Sequence, residues 1–431
     1  MTYNTIFYNN YRSFIYCIIL MFLVGCASTK QKISKNTNSI ISNSLLKNHF
    51  IGIKVYDPVR NKTIFEKNST KYFTPASNTK IFTLYTTLKL VPEFSPLLKY
   101  AIANDTTYIQ GTGNPTTLHP YFKDSTAIHF LKKQKNIALN VNNYISGKFG
   151  SGWAWEDFDA SFSPERGGLP LYGNVLSIYK KGYLSTYPTY FNDSIRVTPY
   201  NFKRDLIKNI FYVNTNLIDT VTIPFKTSNK LIKDLLEKAI NKKIIITDKK
   251  ANTEKNTLYG VATDSIAKRM MHLSDNFLAE QLLVMASNTL SDTLSTNKAI
   301  KHILKTDLAD IEQQPRWVDG SGLSRYNLFT PASFVKVLHK MYKEVPKKRL
   351  LKLFPAGGKS GTLKNWYKGN PTPYVYAKSG SLGNNYSLSG YLITKSGKTI
   401  IFSFMNNHFK AKTSDVKKQI QTVLELIRDT Y

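Results

Sequence analysis

Residues 73–88 read FTPASNTKIFTLYTTL. Thr74-Pro75-Ala76 makes a turn-like entry, and apolar residues then fall at Ile81, Phe82, Leu84, Tyr85 and Leu88, close to one helical face. The pattern predicts a helix from about Ser77 to Val91, stopped before Pro92. Ser77 would sit at its N-terminus, where free N–H groups and the helix dipole favour negative charge. Lys80 follows three residues later, one turn away on the same face. A serine at a helix start with a lysine one turn on is the arrangement of a nucleophile and its base.

Upstream, FIGIKVY (50–56) and TIFE (63–66) flank a turn at 57–62, which predicts a hairpin leading into the opening stretch. Residues 98–254 have another texture. Short β-rich runs at 107–110, 195–198, 221–223 and 244–246 alternate with Asn, Asp, Gly and Pro clusters, and the clearest helical signal is 231–240. This reads as an inserted, mostly β region of one or two domains. Its GSGWAWEDFDASFSP segment (150–164) reads as a structural aromatic cluster. Helix returns at 263, with Asp264 as N-cap, pauses at Ser274-Asp275-Asn276 and resumes over 277–286. The loop WVDGSGLSRYNLFTP (317–331) follows, its turn ordered by Asp319, and Thr330 caps a helix with Pro331 at the first position. Three strand patterns come next (TPYVYAKSGSL, YSLSGYLIT, KTIIFSFMNN), then an amphipathic helix over 413–429 with Val416, Ile420, Val423, Leu424 and Ile427 on one face. The fold class expected is α+β, an antiparallel sheet flanked by helices. Residues 27–97 and 255–431 would form one discontinuous domain around the 98–254 insert.

Composition bounds the function. With 431 residues, 42% apolar and 13% aromatic, the chain can bury a large core in two or three domains. Lys and Arg outnumber Asp and Glu 59 to 28, for a net charge of +31. Such a balance suits an anionic membrane surface or polymer. The lysines are spread out, with no basic block, zinc-finger spacing or RNA-binding aromatic motif, so no nucleic-acid partner is expected. The seven histidines lack metal-ligand spacing and no Gly-rich stretch resembles a nucleotide loop, so neither metal nor cofactor is expected. At the N-terminus, Arg12 precedes an apolar run from Phe14 to Val24, too short to span a bilayer and read as a signal peptide over 1–26. The run ends Leu23-Val24-Gly25-Cys26, which resembles the bacterial lipobox, whose cysteine becomes the lipidated first residue of the mature protein. Cys17 and Cys26 are the only cysteines, so the processed chain would hold no internal disulfide. Residues 27–48 read as a polar tether merging into a short helix. Lipid anchor and basic surface together place the chain in the cell envelope, periplasmic and held at a membrane.

Ser-x-x-Lys occurs seven times, from Ser44, Ser77, Ser177, Ser265, Ser295, Ser333 and Ser414. Ser-x-Asn occurs at Ser34, Ser274 and Ser295, and Lys-Ser-Gly at Lys359, Lys378 and Lys395. Position separates them. Only Ser77 follows a hairpin and opens a buried-looking helix. Ser274 falls at a helix break, where side chains can point into a cleft, whereas Ser34 lies in the tether and Ser295 in a polar loop. Lys395 is a hairpin tip and Lys359 follows a Gly-rich loop, but Lys378 ends an extended apolar run.

The order Ser-x-x-Lys, Ser-Asp-Asn, Lys-Ser-Gly resembles the active-site signature shared by penicillin-binding proteins and serine β-lactamases, with Ser379 where Thr is usual. Almost 200 residues separate Ser77 from Ser274, and the insert that fills them is similar to that of the penicillin-binding protein 4 group. GTGNPT (111–116), SGWAWED, DGSGLSRYNL (319–328) and AKSGSL (377–382) fit the same group. The resemblance implies a serine D-alanyl-D-alanine carboxypeptidase or endopeptidase acting on peptidoglycan peptides, inhibited by β-lactams. It implies Ser77 as nucleophile, Lys80 as base with its pKa lowered by Lys378 and by burial, and Ser274 as relay to the leaving amine. Asn276 would hold the substrate amide. Lys378, Ser379 and Gly380 would meet the terminal carboxylate, and the N–H groups of Ser77 and Ser381 would form the oxyanion hole. A β-lactamase, or a non-catalytic envelope-binding lipoprotein of the same fold, is the alternative. The long insert and the lack of an obvious Glu-x-x-x-Asn deacylating motif in a compact loop argue against the first, and the intact polar set against the second.

Overall fold

Both ends of the chain build one sheet. In a computed structural model that describes residues 30–42, 46, 48–199, 203–214, 217–249 and 254–431, strands β1 (Phe50–Asp57) and β2 (Lys62–Lys67) join β13 (Val375–Leu382), β14 (Asn385–Ile393) and β15 (Thr399–Asn407). The expected signal segment and Cys26 lie outside the described residues. The order is β13-β14-β15-β1-β2, with every pairing antiparallel. All nine residues of β15 are buried, because helices cover both faces of this central strand. Its side chains alternate with the period of two that a pleated strand imposes. Ile401 and Met405 enter one core, and Ile400, Phe402 and Phe404 the other.

Helix α1 (residues 30–41) and helix α10 (Thr413–Thr430) close the second face, α10 with the five apolar residues expected from its period. The first face carries α2 (Lys80–Leu90), α5 (Thr263–Leu273), α6 (Asn276–Leu290), α7 (Thr296–Lys305), α8 (Pro331–Glu344) and α9 (Lys347–Leu353). Phe82 of α2 anchors this core edge-to-face against Trp317, Phe329 and Phe334. The mixed helices and antiparallel central sheet are the α+β class expected.

The middle of the chain has a core of its own. One sheet runs β11 (Ile245–Ile246), β5 (Asn136–Asn140), β4 (Thr106–Gly111), β3 (Phe94–Ala103), β12 (Asn256–Ala262). Strands β10 (Val221–Pro224), β6 (Val175–Lys181) and β7 (Tyr183–Tyr187) form a second, and β8 (Ile195–Val197) pairs with β9 (Phe211–Val213). Helices α3 (Thr126–Lys133) and α4 (Asn229–Ile240) pack there. Strands β3 and β12 pair with each other and start and end outside the 98–254 bounds, since each runs directly from or into a helix of the first face.

Two local expectations need correction. Residues Ala76–Thr79 form a 3₁₀ turn, and the α-helix begins only at Lys80. Ala76 has φ +50°, outside right-handed helical space, so a regular helix cannot begin there. Asp264 is not an N-cap: Ala262 holds that position, and Asp264 lies in the first turn of α5, paired with Arg349. Helix α3 gave no clear signal, since its eight residues span little more than two turns.

The 3₁₀ turn is held from both sides. Phe73 and Phe329 exchange backbone hydrogen bonds of 2.8 and 3.0 Å. Asn407, at the end of β15, accepts from Thr74 N at 2.8 Å and donates to Thr74 O at 3.1 Å. Its amide is buried, so removal leaves a backbone donor and acceptor unpaired. Asn407→Ala is expected to lower the unfolding free energy by roughly 1–3 kcal/mol, seen as a lower denaturant midpoint at unchanged slope.

Candidate active site

Four segments meet above the 3₁₀ turn. Lys80, first residue of α2, is fully buried, whereas Ser77 is half-exposed. The Lys80 ammonium donates to Ser77 Oγ at 2.9 Å, to Asn276 Oδ1 at 2.7 Å and to the Ser321 carbonyl at 2.6 Å. Its three N–H bonds thus meet three acceptors. Of those three partner atoms, only the Ser77 hydroxyl carries a hydrogen. A neutral Lys80 in this geometry therefore has one neighbour from which its lone pair can take a proton, and that neighbour is Ser77.

The loop DGSGLS supplies the Ser321 carbonyl. Asp319 is buried and accepts from Gly322 N at 2.8 Å, Ser324 N at 2.7 Å and Asn327 Nδ2 at 2.7 Å. It orders the turn, as expected, and through Gly322 N it orients the peptide whose carbonyl holds Lys80. Gly322 has φ +84°, and a Cβ there would lie 2.0 Å from the Ala76 carbonyl, so only glycine lets the loop pack on the 3₁₀ turn. Trp153 donates to Asp319 Oδ2 at 2.8 Å, which makes it a support of this loop. Its neighbour Trp155 is 74% exposed and belongs to no buried cluster. Glu280, one turn beyond Asn276 on α6, accepts from Ser321 N at 2.7 Å and pairs with Arg166 at 3.1 Å, both side chains buried.

Helix α5 ends at Leu273, and Ser274 takes left-handed backbone angles (φ 57°, ψ 35°) before Asp275 caps α6 through Leu278 N. This sharp break turns Ser274 toward β13. Lys378 Nζ donates to Ser274 Oγ at 2.9 Å and to the Ser379 carbonyl at 2.5 Å. Ser379 Oγ donates to Thr362 Oγ1 at 2.8 Å. Strand β13 passes the 3₁₀ turn so closely that a Cβ on Gly380 would sit 2.6 Å from Pro75 O and 2.8 Å from Ser77 N. Ser381 is the next residue of that strand and its side chain is exposed.

Burial is the main force on both lysines. It lowers Lys80 to about 8, against Asp319, Glu280 and Asp275, whose charges raise it. Burial lowers Lys378 further, and the charge of Lys80 adds to the effect. Two ammonium groups held in one buried cleft repel each other, which favours the neutral form. Glu280 and Asp275 are pushed upward by burial.

The structure brings Ser77, Lys80, Ser274, Asn276, Lys378, Ser379 and Gly380 together. Asn276 differs from expectation in its resting partners. Its oxygen is taken by Lys80, and its Nδ2 donates to the Phe162 carbonyl at 3.0 Å. Sequence reasoning missed Glu280, Arg166, Thr362 and the Ser321 carbonyl. Only Glu280 left a signal, its spacing of four from Asn276 on a helix.

Residues 215–427 match the model of the D-Ala-D-Ala carboxypeptidase 3 (S13) family. The chain is 23% identical to penicillin-sensitive carboxypeptidase A of Dictyostelium discoideum, over 86% of this chain and 85% of that protein. It is 30% identical to D-alanyl-D-alanine carboxypeptidase DacB of Haemophilus influenzae over 38% of this chain and 36% of that one. Its fold is similar to the crystal structure of penicillin binding protein 4 (dacB) from Haemophilus influenzae, with TM-score 0.68 and 20% identity over 91% of this chain and 97% of that one. With the polar constellation around Ser77 in the order described, the chain is similar in sequence and fold to the penicillin-binding protein 4 group of D-alanyl-D-alanine carboxypeptidases.

Proposed function

We propose that Ser77 is the acylated nucleophile of a peptidoglycan hydrolase, cleaving the D-alanyl-D-alanine bond of stem peptides or the matching bond of cross-links. The observation that carries this is the set of three partners around the Lys80 ammonium, among which Ser77 alone can return a proton. Lys80, held near pKa 8, takes the Ser77 proton as Oγ attacks the carbonyl carbon. The carbonyl oxygen gathers charge and is met by the N–H groups of Ser77 and Ser381. Lys80 returns that proton through the hydroxyl of Ser274, which takes one proton as it gives another, to the departing amine; the C–N bond breaks and Lys80 is neutral again. Asn276 meets the substrate amide through its free N–H, while Lys378 and Ser379 receive the terminal carboxylate. Water then attacks the ester, giving its proton to Lys80, which hands it to Ser77 Oγ as the ester C–O bond breaks and the acyl group leaves as its acid. A penicillin presents a carboxylate and a strained amide in the same relation and acylates the same serine.

We also propose that the enzyme works in the cell envelope on a lipid anchor at Cys26, as the Leu23-Val24-Gly25-Cys26 sequence supports. Cys26→Ala is expected to move the protein from the membrane pellet to the soluble fraction after cell lysis. Retention of that variant in the pellet would refute the anchor.

Fluorescent penicillin is expected to label the wild type, and Ser77→Ala to lower labelling by at least about a thousandfold. Equal labelling of both, or none of either, overturns the assignment of Ser77. The pH dependence follows from the sign of the Lys80 shift. The neutral amine is the active form and its fraction grows as pH rises toward about 8. The acylation rate should therefore climb about tenfold per pH unit from pH 6 and level off near 8. A flat profile between pH 6 and 8 would remove Lys80 as the base.

A further inference from the structure

Helices α5 and α9 border a groove of ≈ 610 Å³ beside the site. Lys268, Arg269 and His272 line it from α5, Arg349 and Lys352 from α9, and Tyr121 from the middle of the chain. Its single carboxylate, Asp264, is held by Arg349 through bonds of 2.8 and 2.9 Å. Arg269 stacks on the Tyr121 ring at 3.9 Å. The side chains of Lys268 and Lys352 have no hydrogen bond or ion pair among the described residues, so they bring two unpaired ammonium groups to the groove.

Contacts tie this groove to the carboxylate end of the site. A Cβ on Gly361 would lie 2.6 Å from the His272 carbonyl, and the next residue, Thr362, accepts the Ser379 hydroxyl. His272 precedes by two residues Ser274, which accepts from Lys378. Burial lowers the His272 imidazole, and the charges of Lys268 and Lys378 lower it further, so groove lysine and site lysine act on one ring. A free peptide end stops at the carboxylate that Lys378 and Ser379 receive, and a single alanine leaves a space of this size empty. A cross-link continues past that point into a second stem peptide, which carries carboxylates of its own.

We infer that the groove receives the anionic second stem peptide on the amine side of a cross-link, and that the enzyme selects cross-linked substrate over free pentapeptide ends. This rests on the assignment of Lys378 and Ser379 to the leaving side of the scissile bond. Charge complementarity supplies the recognition, as unpaired ammonium groups in a concave surface attract carboxylates at low salt.

The test compares wild type with the Lys268→Gln/Lys352→Gln double variant on purified cross-linked muropeptide dimers and on a monomeric pentapeptide, with fluorescent penicillin as control. Both side chains reach solvent, so the variant should fold normally. The variant is expected to lose about tenfold in kcat/KM on dimers, with pentapeptide cleavage and penicillin labelling unchanged. High salt should weaken dimer cleavage by wild type in the same selective way. Equal change on both substrates, or no change on dimers, overturns the groove assignment and leaves Ser77 in place. So does a wild type that labels and cleaves only pentapeptide. A wild type that neither labels nor cleaves overturns the reading of the site itself, and the groove assignment with it.

Discussion

The structure depends on a dehydrated ammonium. Lys80 is buried without direct contact to a carboxylate, an arrangement that costs several kcal/mol for an unrelieved charge. Relief comes from three neutral oxygens and from Asp319, Glu280 and Asp275 at longer range. Each demand on the fold follows from this. The Ser321 carbonyl must point inward, so Asp319 and Gly322 shape its loop. Asn276 must start a helix facing α2, so the chain breaks at Ser274. Glu280 must sit behind the loop, so Arg166 is drawn from the middle of the chain to balance it. The result is a lysine lowered to about 8, which in the proposed role is neutral often enough to act and charged often enough to return a proton.

Two lysines share the cleft under different constraints. Lys80 keeps its charge relatively well because acids surround it. Lys378 has Ser274 and a backbone carbonyl as partners and feels the repulsion of Lys80. An arriving carboxylate changes that balance, since an opposite charge beside Lys378 favours its protonated form. In the proposed function, substrate binding and proton placement are thus coupled through one ion pair, with the site's own acids kept on the Lys80 side.

Much of the fold was legible in the sequence, and the reasons differ by element. The helix from Pro331 was marked by its cap, and Thr330 and Ser333 form the reciprocal capping pair. The last three strands and α10 followed from periods of 2 and 3.6, because one-sided burial imposes those periods. The break at Ser274 showed as a pause in the helical pattern. Helix α3 and the 3₁₀ turn did not show. The first is short, and the second depends on a left-handed Ala76 that no propensity favours.

The sequence by itself determined the order of the motifs and which of seven serine–lysine tetrads follows a hairpin and opens a helix, because hairpin, helix and strand signals are local. Tertiary structure alone decided what surrounds Lys80. The Ser321 carbonyl is a backbone atom that carries no mark in the sequence. Arg166 lies 114 residues from its partner Glu280, and Trp153 lies 166 from Asp319. Burial of Lys80, which lowers its pKa, is likewise a property of packing among distant segments, and distance along the chain is what local residue patterns cannot express.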